Sequence, residues 1–107
     1  MAEPVEITEA NFEDKVIKAG IPVMVDFSAT WCGPCVKLEP TIKEIAGEYD
    51  GRAVIGHCDV DNAQEIARKY QVMSVPTIMF FKDGEPKDVS VGLVPKEILT
   101  QKLDDLF

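Results

Sequence analysis

The sequence predicts an α/β domain in which a mixed sheet of strands carries helices on both faces. Three observations predict it. Short apolar runs rich in β-formers occupy residues 22–28, 53–60 and 76–81; the stretches after the first two repeat apolar residues every three or four positions; and Lys82-Asp83-Gly84-Glu85, a tight-turn signal, follows the third run. Runs that short and that apolar suit strands covered on both sides, and the intervening period is that of a helix with one buried face. A βαβ unit followed by a hairpin and a helix makes the sheet mixed in direction. At 107 residues the chain is the size of one domain, residues 1–107.

In chain order, Thr8 or Asn11 can cap a helix carrying Phe12, Val16 and Ile17, and Gly20 supplies its stop. Pro22 to Ser28 is the first buried strand, with Met24, Asp26 and Ser28 on one face and Val23, Val25 and Phe27 on the other. Leu38, Ile42, Ile45, Ala46 and Tyr49 then share one helical face, and Pro40 within that helix removes one backbone bond and should kink it. Ala53 to Val60 is the second strand. Asp61 with Gln64, or Asn62 with Glu65, would cap a helix on which Ala63, Ile66, Ala67 and Tyr70 recur. Pro76 to Phe81 is the third strand, and Lys87 to Gly92 returns as its hairpin partner. Pro95 starts a last helix with Leu99, Leu103 and Leu106 inward.

Nineteen acidic against eleven basic residues leave a formal charge of −8. A phosphate backbone or an anionic membrane would be repelled, so neither is expected as the main partner. Met1 to Glu6 has neither the basic nor the apolar region of a signal peptide, and no apolar run approaches a membrane span. The expected compartment is the cytoplasm, where thiols stay reduced and three cysteines do not read as a disulfide framework.

The chemistry concentrates in Trp31-Cys32-Gly33-Pro34-Cys35, placed between a buried strand and the start of a helix. Active-site crevices of open α/β sheets lie at such strand ends. The unpaired N–H groups of the first helical turn favour a thiolate, and the thiolate is the form that attacks a disulfide. Cys35, three residues on, can reach the sulfur of Cys32, while Gly33 and Pro34 suit a tight entry into the helix. A zinc site is the main competitor for a Cys-x-x-Cys pair. Its other ligands would have to be His57 and Cys58, which are adjacent on a strand and point to opposite faces, so no metal is expected. A structural disulfide or a pair of inert packing cysteines are the remaining alternatives.

With Val25-Asp26-Phe27, the cysteine motif, Pro40, Val75-Pro76-Thr77, Asp83-Gly84 and Val91-Gly92 in this order and spacing, essentially the whole chain resembles the thioredoxin family. The resemblance implies the thioredoxin fold, a central mixed sheet of about five strands flanked by about four helices. It implies a protein-disulfide oxidoreductase that is a monomer with no bound cofactor, acting on disulfide-containing proteins and recharged by a thioredoxin reductase. By the same resemblance Cys32 is the exposed nucleophile, Cys35 the buried resolving thiol and Asp26 a buried carboxylate that moves the Cys35 proton. Pro76 would be a cis-proline facing the pair, with the Val75 backbone pairing to substrate. Trp31, Gly33, Pro34, Val91 and Gly92 would complete an apolar docking surface.

The residues alone leave several of these roles open. Asp26 could equally be an exposed acid on an amphipathic strand, and Pro76 a strand-start proline. Trp31 could be simple packing. Position 57, often lysine in bacterial members of the family, is His57 here, and an imidazole would support the Asp26 carboxylate less than a fixed ammonium. The two should then titrate as a coupled pair, unless His57 is only a hydrogen-bonded element of the sheet. Ser28 stands where bacterial members commonly have tryptophan, and Phe27-Ser28-Ala29-Thr30-Trp31 also resembles animal members. Cys58 reads as a small buried hydrophobe. Besides a general reductase, a disulfide oxidase or isomerase and a non-catalytic binding subunit are the readings to separate. Pro34 between the cysteines and the retention of Cys32, Cys35, Asp26 and Pro76 together favour the reductase.

Overall fold

Every residue of strand β2 (Val23–Ser28) is buried, because it lies in the middle of a five-stranded sheet with helices packed on both sides. The structure is a computed structural model and describes residues 2–107. The sheet order is β1 (Val5–Glu6), β3 (Val54–Asp59), β2, β4 (Thr77–Lys82) and β5 (Glu85–Val91). The β1–β3 and β3–β2 pairs are parallel, and β2–β4 and β4–β5 are antiparallel. The elements outside the sheet are a single π-type turn (Glu13–Ile17), α1 (Gly33–Glu48), α2 (Gln64–Lys69) and α3 (Lys96–Asp104).

The period-2 alternation of β2 sorts side chains into two cores. Met24 joins Ile55, Ile78 and Phe80 against α1 and α3, which contribute Leu38, Ile42, Ile45, Leu99 and Leu103. On the opposite face Val23, Val25, Phe27 and Cys58 pack with Phe12 and Val16 of the π-turn region and with Ala63 and Ile66 around α2. Each fully buried side chain of Leu, Ile or Phe size contributes roughly 1.5–3 kcal/mol, so both layers stabilise the sheet that carries the site.

Local chemistry explains the joints. Thr8 and Asn11 both act at the first turn, each donating its backbone N–H to the other's side-chain oxygen, at 2.8 and 3.2 Å. Asp83 and Gly84 both have positive φ, 54° and 79°, which is what a two-residue hairpin between right-twisted strands requires. α1 runs unbroken through Pro40 for 16 residues. Pro95 precedes the first turn of α3, as its fixed φ and missing N–H allow.

The structure departs from the sequence expectations in three places. β1 has no counterpart among the predicted strands, since its two residues are too few to show alternation; its pairing to Gly56 and His57 creates it. α2 begins at Gln64 after Ala63, with no side-chain cap. The expected capping residue Asp61 has other contacts, its backbone N–H bonded to the Asp59 carboxylate at 2.9 Å. β5 starts at Glu85, directly after the turn, rather than at Lys87.

Candidate active site

β2 ends at Ser28, and a few residues later the chain turns into α1 at the cysteine motif. Cys32 is the N-cap of α1, with the extended backbone of that position. Its Sγ accepts the Cys35 backbone N–H at 3.2 Å, so the sulfur occupies the place a serine or aspartate oxygen takes at other helix starts. Cys32 and Cys35 are joined as a disulfide with their Cα atoms 5.3 Å apart. When the bond is reduced, the same N–H faces a sulfur that can carry negative charge, and a charge-assisted bond to the thiolate is stronger than one to the thiol.

Cys32 is less open than the resemblance implies. It is 5 % exposed and Cys35 1 %, because the disulfide turns both sulfurs into the junction between Ala29, Val60 and Val75. The surface around them is open: Trp31, Gly33 and Pro34 are exposed. The Val75–Pro76 peptide is cis, and the Cys32 Sγ lies 3.7 Å from the Val75 carbonyl oxygen. Gly92, at φ 92°, donates its N–H to the Pro76 carbonyl at 2.8 Å and so ties the end of β5 to the same loop. Val91 beside it is exposed. The docking residues implied by the resemblance thus flank the disulfide from three segments.

Two residues of that surface carried no docking signal in the sequence. Met73, 91 % exposed, borders a shallow cleft with Trp31, Val72 and Val75. Asp61 accepts the Trp31 indole N–H at 2.9 Å, which holds the ring in place on the surface. Asp61 was legible only as a helix cap; its real partner lies thirty residues away.

Asp26 is 1 % exposed, so the exposed-acid alternative fails. Its Oδ1 has no hydrogen-bond partner among the described residues. Burial pushes its pKa up from 3.8 to about 6, opposed by His57 and assisted by Glu39. It lines a pocket of about 250 Å³ together with Pro4, Glu6, Glu39, Ile42, Lys43 and His57. Glu39 lies one helical turn beyond Cys35 on α1 and lines the pocket together with Asp26. His57 pairs with Asp26 across β3–β2 and with Glu6 across β1–β3. Its Nδ1 is 3.0 Å from the Glu6 Oε1.

Cys58 is fully buried in the layer opposite His57, which agrees with alternation. Burial, with Glu6, Asp59 and other carboxylates adding to it, pushes its thiol up to about 12. At pH 8 only about one molecule in ten thousand would carry that thiolate, so alkylation of the reduced native protein should label Cys58 at least about a thousandfold more slowly than Cys32. Comparable labelling of the two, read by peptide mass spectrometry, would refute the burial. Among the described residues no group of three or more His, Cys, Asp or Glu side chains is arranged to hold a metal ion.

The family model described as thioredoxin matches residues 3–105. The chain belongs to the thioredoxin family. It is 51% identical over 100 residues to a thioredoxin of Staphylococcus epidermidis and 49% identical over 100 residues to one of Staphylococcus aureus; each alignment covers 94% of both chains. Among solved structures, a mutant thioredoxin from Halobacterium salinarum NRC-1 superimposes with a TM-score of 0.87 at 35% identity, over 97% of this chain and 90% of that one. The five-stranded mixed sheet with its helices is the thioredoxin fold. The protein is therefore a protein-disulfide oxidoreductase of the thioredoxin family, and Cys32 and Cys35 are its redox-active pair.

Proposed function

We propose that the protein is a general reductant of disulfides in other proteins, in which Cys32 attacks, Cys35 resolves and Asp26 takes the Cys35 proton. The observation that carries this reading is the disulfide capping α1, with the sulfur of Cys32 on the Cys35 N–H and Cys35 almost fully buried behind it. In the reduced protein the Cys32 thiolate attacks one sulfur of a substrate disulfide and expels the other as a thiolate. Cys35 then loses its proton to the Asp26 carboxylate and attacks the Cys32 sulfur, expelling the second substrate thiolate. The substrate gains two electrons and leaves as two thiolates, which take their protons from solvent; the Cys35 proton stays with Asp26, and the protein is left with the Cys32–Cys35 disulfide.

Substrate would lie across Trp31, Gly33, Pro34, Val75, Pro76, Val91 and Gly92, with the extended backbone before Pro76 available to pair with it. Electrons would return from a thioredoxin reductase. The site would work as a monomer in the cytoplasm, over a single domain of residues 1–107, with no bound cofactor, since the two thiols themselves hold the electron pair.

The test is to supply dithiothreitol and a disulfide-bonded protein, follow substrate reduction, and measure the reduction potential of the Cys32–Cys35 couple. Turnover with a strongly reducing potential is expected. A potential in the range of disulfide oxidants would make the protein an oxidase or isomerase instead. If the double variant Cys32→Ser/Cys35→Ser kept every measurable activity, only a binding subunit would remain.

A further inference from the structure

Glu6, His57 and Asp26 stand side by side on neighbouring strands of the sheet. Parallel pairing places Glu6 opposite His57 and His57 opposite Asp26, and all three line the one pocket beside α1. Paired residues of adjacent strands project to the same face, so this row is imposed by register. Glu6 belongs to the two-residue strand that sequence periodicity does not reveal, and no part of the thiol chemistry so far uses it.

The His57 side chain is about 29 % exposed and meets the Glu6 carboxylate through Nδ1 at 3.0 Å. A carboxylate only accepts, so Nδ1 carries a proton, and in the neutral imidazole Nε2 is then left as an acceptor. On the other side of His57, the buried Asp26 offers an oxygen without a partner. The pocket they share, about 250 Å³, has room for several water molecules at about 30 Å³ each. We propose that Glu6 is a positioning residue of the redox site: by holding Nδ1–H of His57 it leaves Nε2 toward the pocket as the immediate proton partner of Asp26. The proton that Asp26 takes from Cys35 then passes to Nε2, directly or across pocket water, and the imidazolium releases it to solvent at the open side of the pocket. The inference rests on Asp26 being the proton acceptor in the reaction.

The other charged groups facing Asp26 are Glu39 and Lys43, both from α1; β4 presents apolar Ile78. They are common to every variant below and drop out of the comparison.

The experiment is a cycle of Glu6→Ala, His57→Ala and the double variant in the oxidised protein. Asp26 titration is followed by carboxyl carbon NMR, and His57 protonation by imidazole nitrogen shifts. In the wild type, His57 should hold its proton on Nδ1, whereas Glu6→Ala should release it to the Nε2–H form usual in water. Glu6→Ala should lower the Asp26 midpoint by about half a pH unit or more when His57 is present, because Nε2–H then donates to the ionised Asp26 carboxylate where the Nε2 acceptor had favoured its protonated form. With His57 already removed it should move that midpoint much less, because only a distant negative charge disappears. Glu6→Gln, whose amide oxygen still accepts from Nδ1, should keep the tautomer. Equal displacement of Asp26 in both backgrounds, or Nε2–H in the wild type, overturns the proposal. These readouts need no turnover, so they stand or fall separately from the role of Asp26 in catalysis, which its own substitution decides.

Discussion

Cys35→Ser is expected to turn the protein from a catalyst into a trap that accumulates as a mixed disulfide between Cys32 and its substrate. The backbone N–H that Cys32 Sγ accepts belongs to residue 35 whatever its side chain, so the attacking thiolate keeps its stabilising donor. The first exchange should then proceed, but a serine hydroxyl does not attack a disulfide. No other thiol can take over, since Cys58 is fully buried in the layer on the far side of the sheet. Turnover should fall by at least about a thousandfold, as expected for removal of a covalent participant. The adduct should appear on non-reducing gels and vanish with added thiol. Cys32→Ser should abolish turnover equally and give no adduct. If Cys35→Ser released reduced substrate at the wild-type rate, the division of labour between the two cysteines would be wrong.

Asp26→Ala should make the folded protein more stable and the reaction slower. An acid whose pKa lies at about 6 when folded, against 3.8 ordinarily, binds its proton more tightly in the folded state. Unfolding therefore releases protons between these values, and stability falls as pH rises from about 4 through about 6. At about 1.4 kcal/mol per pH unit, the ionised carboxylate costs the fold about 3 kcal/mol at neutral pH, and none of this below about pH 4. The advantage of Asp26→Ala over the wild type should therefore grow by about 3 kcal/mol between about pH 4 and about pH 7.5. Urea denaturation of the oxidised proteins at the two pH values measures this difference. Any constant effect of the small cavity left by alanine cancels between them. An advantage that does not change with pH would mean that Asp26 is not held protonated by burial.

The kinetic effect should be of order ten- to a hundredfold, on resolution of the mixed disulfide. A thiol of ordinary pKa is only a few per cent ionised at about pH 7, so a neighbouring base can raise the thiolate fraction by about that factor. Adding strong base to the medium should narrow the gap between variant and wild type.

A buried carboxylate that costs stability, on the strand leading to the cysteine motif, is the pattern of a functional site rather than of a packing element. Leu38, Ile42 and Phe80, by contrast, occupy the same layer with no polar atom to satisfy. The conflict between stability and chemistry is centred on Asp26, since the apolar packing beside it would accept a neutral residue more readily.

Much of the architecture was legible because its signals are local. Continuous apolar runs marked β2 and β4, the three-and-four spacing marked α1 and α3, and Asp83-Gly84 marked the hairpin turn whose positive φ angles the structure contains. The motif from Trp31 to Cys35 placed the chemistry at a helix start because capping and thiolate stabilisation act within one turn of chain. Alternation along β3 was enough to send His57 and Cys58 to opposite faces. What the residues alone left undecided concerned pairs distant in sequence. Whether Asp26 was exposed or buried depended on α1 covering one face of β2. Glu6 meets His57 across fifty-one residues, and Asp61 meets Trp31 across thirty. A hydrophobic period reports only which side of an element is covered, whereas strand register and helix docking decide which polar groups then face each other. For this protein the sequence determined the thiol pair and the sheet that carries it. The tertiary structure alone decided the surroundings of Asp26, because burial and charge are properties of neighbours brought together by folding.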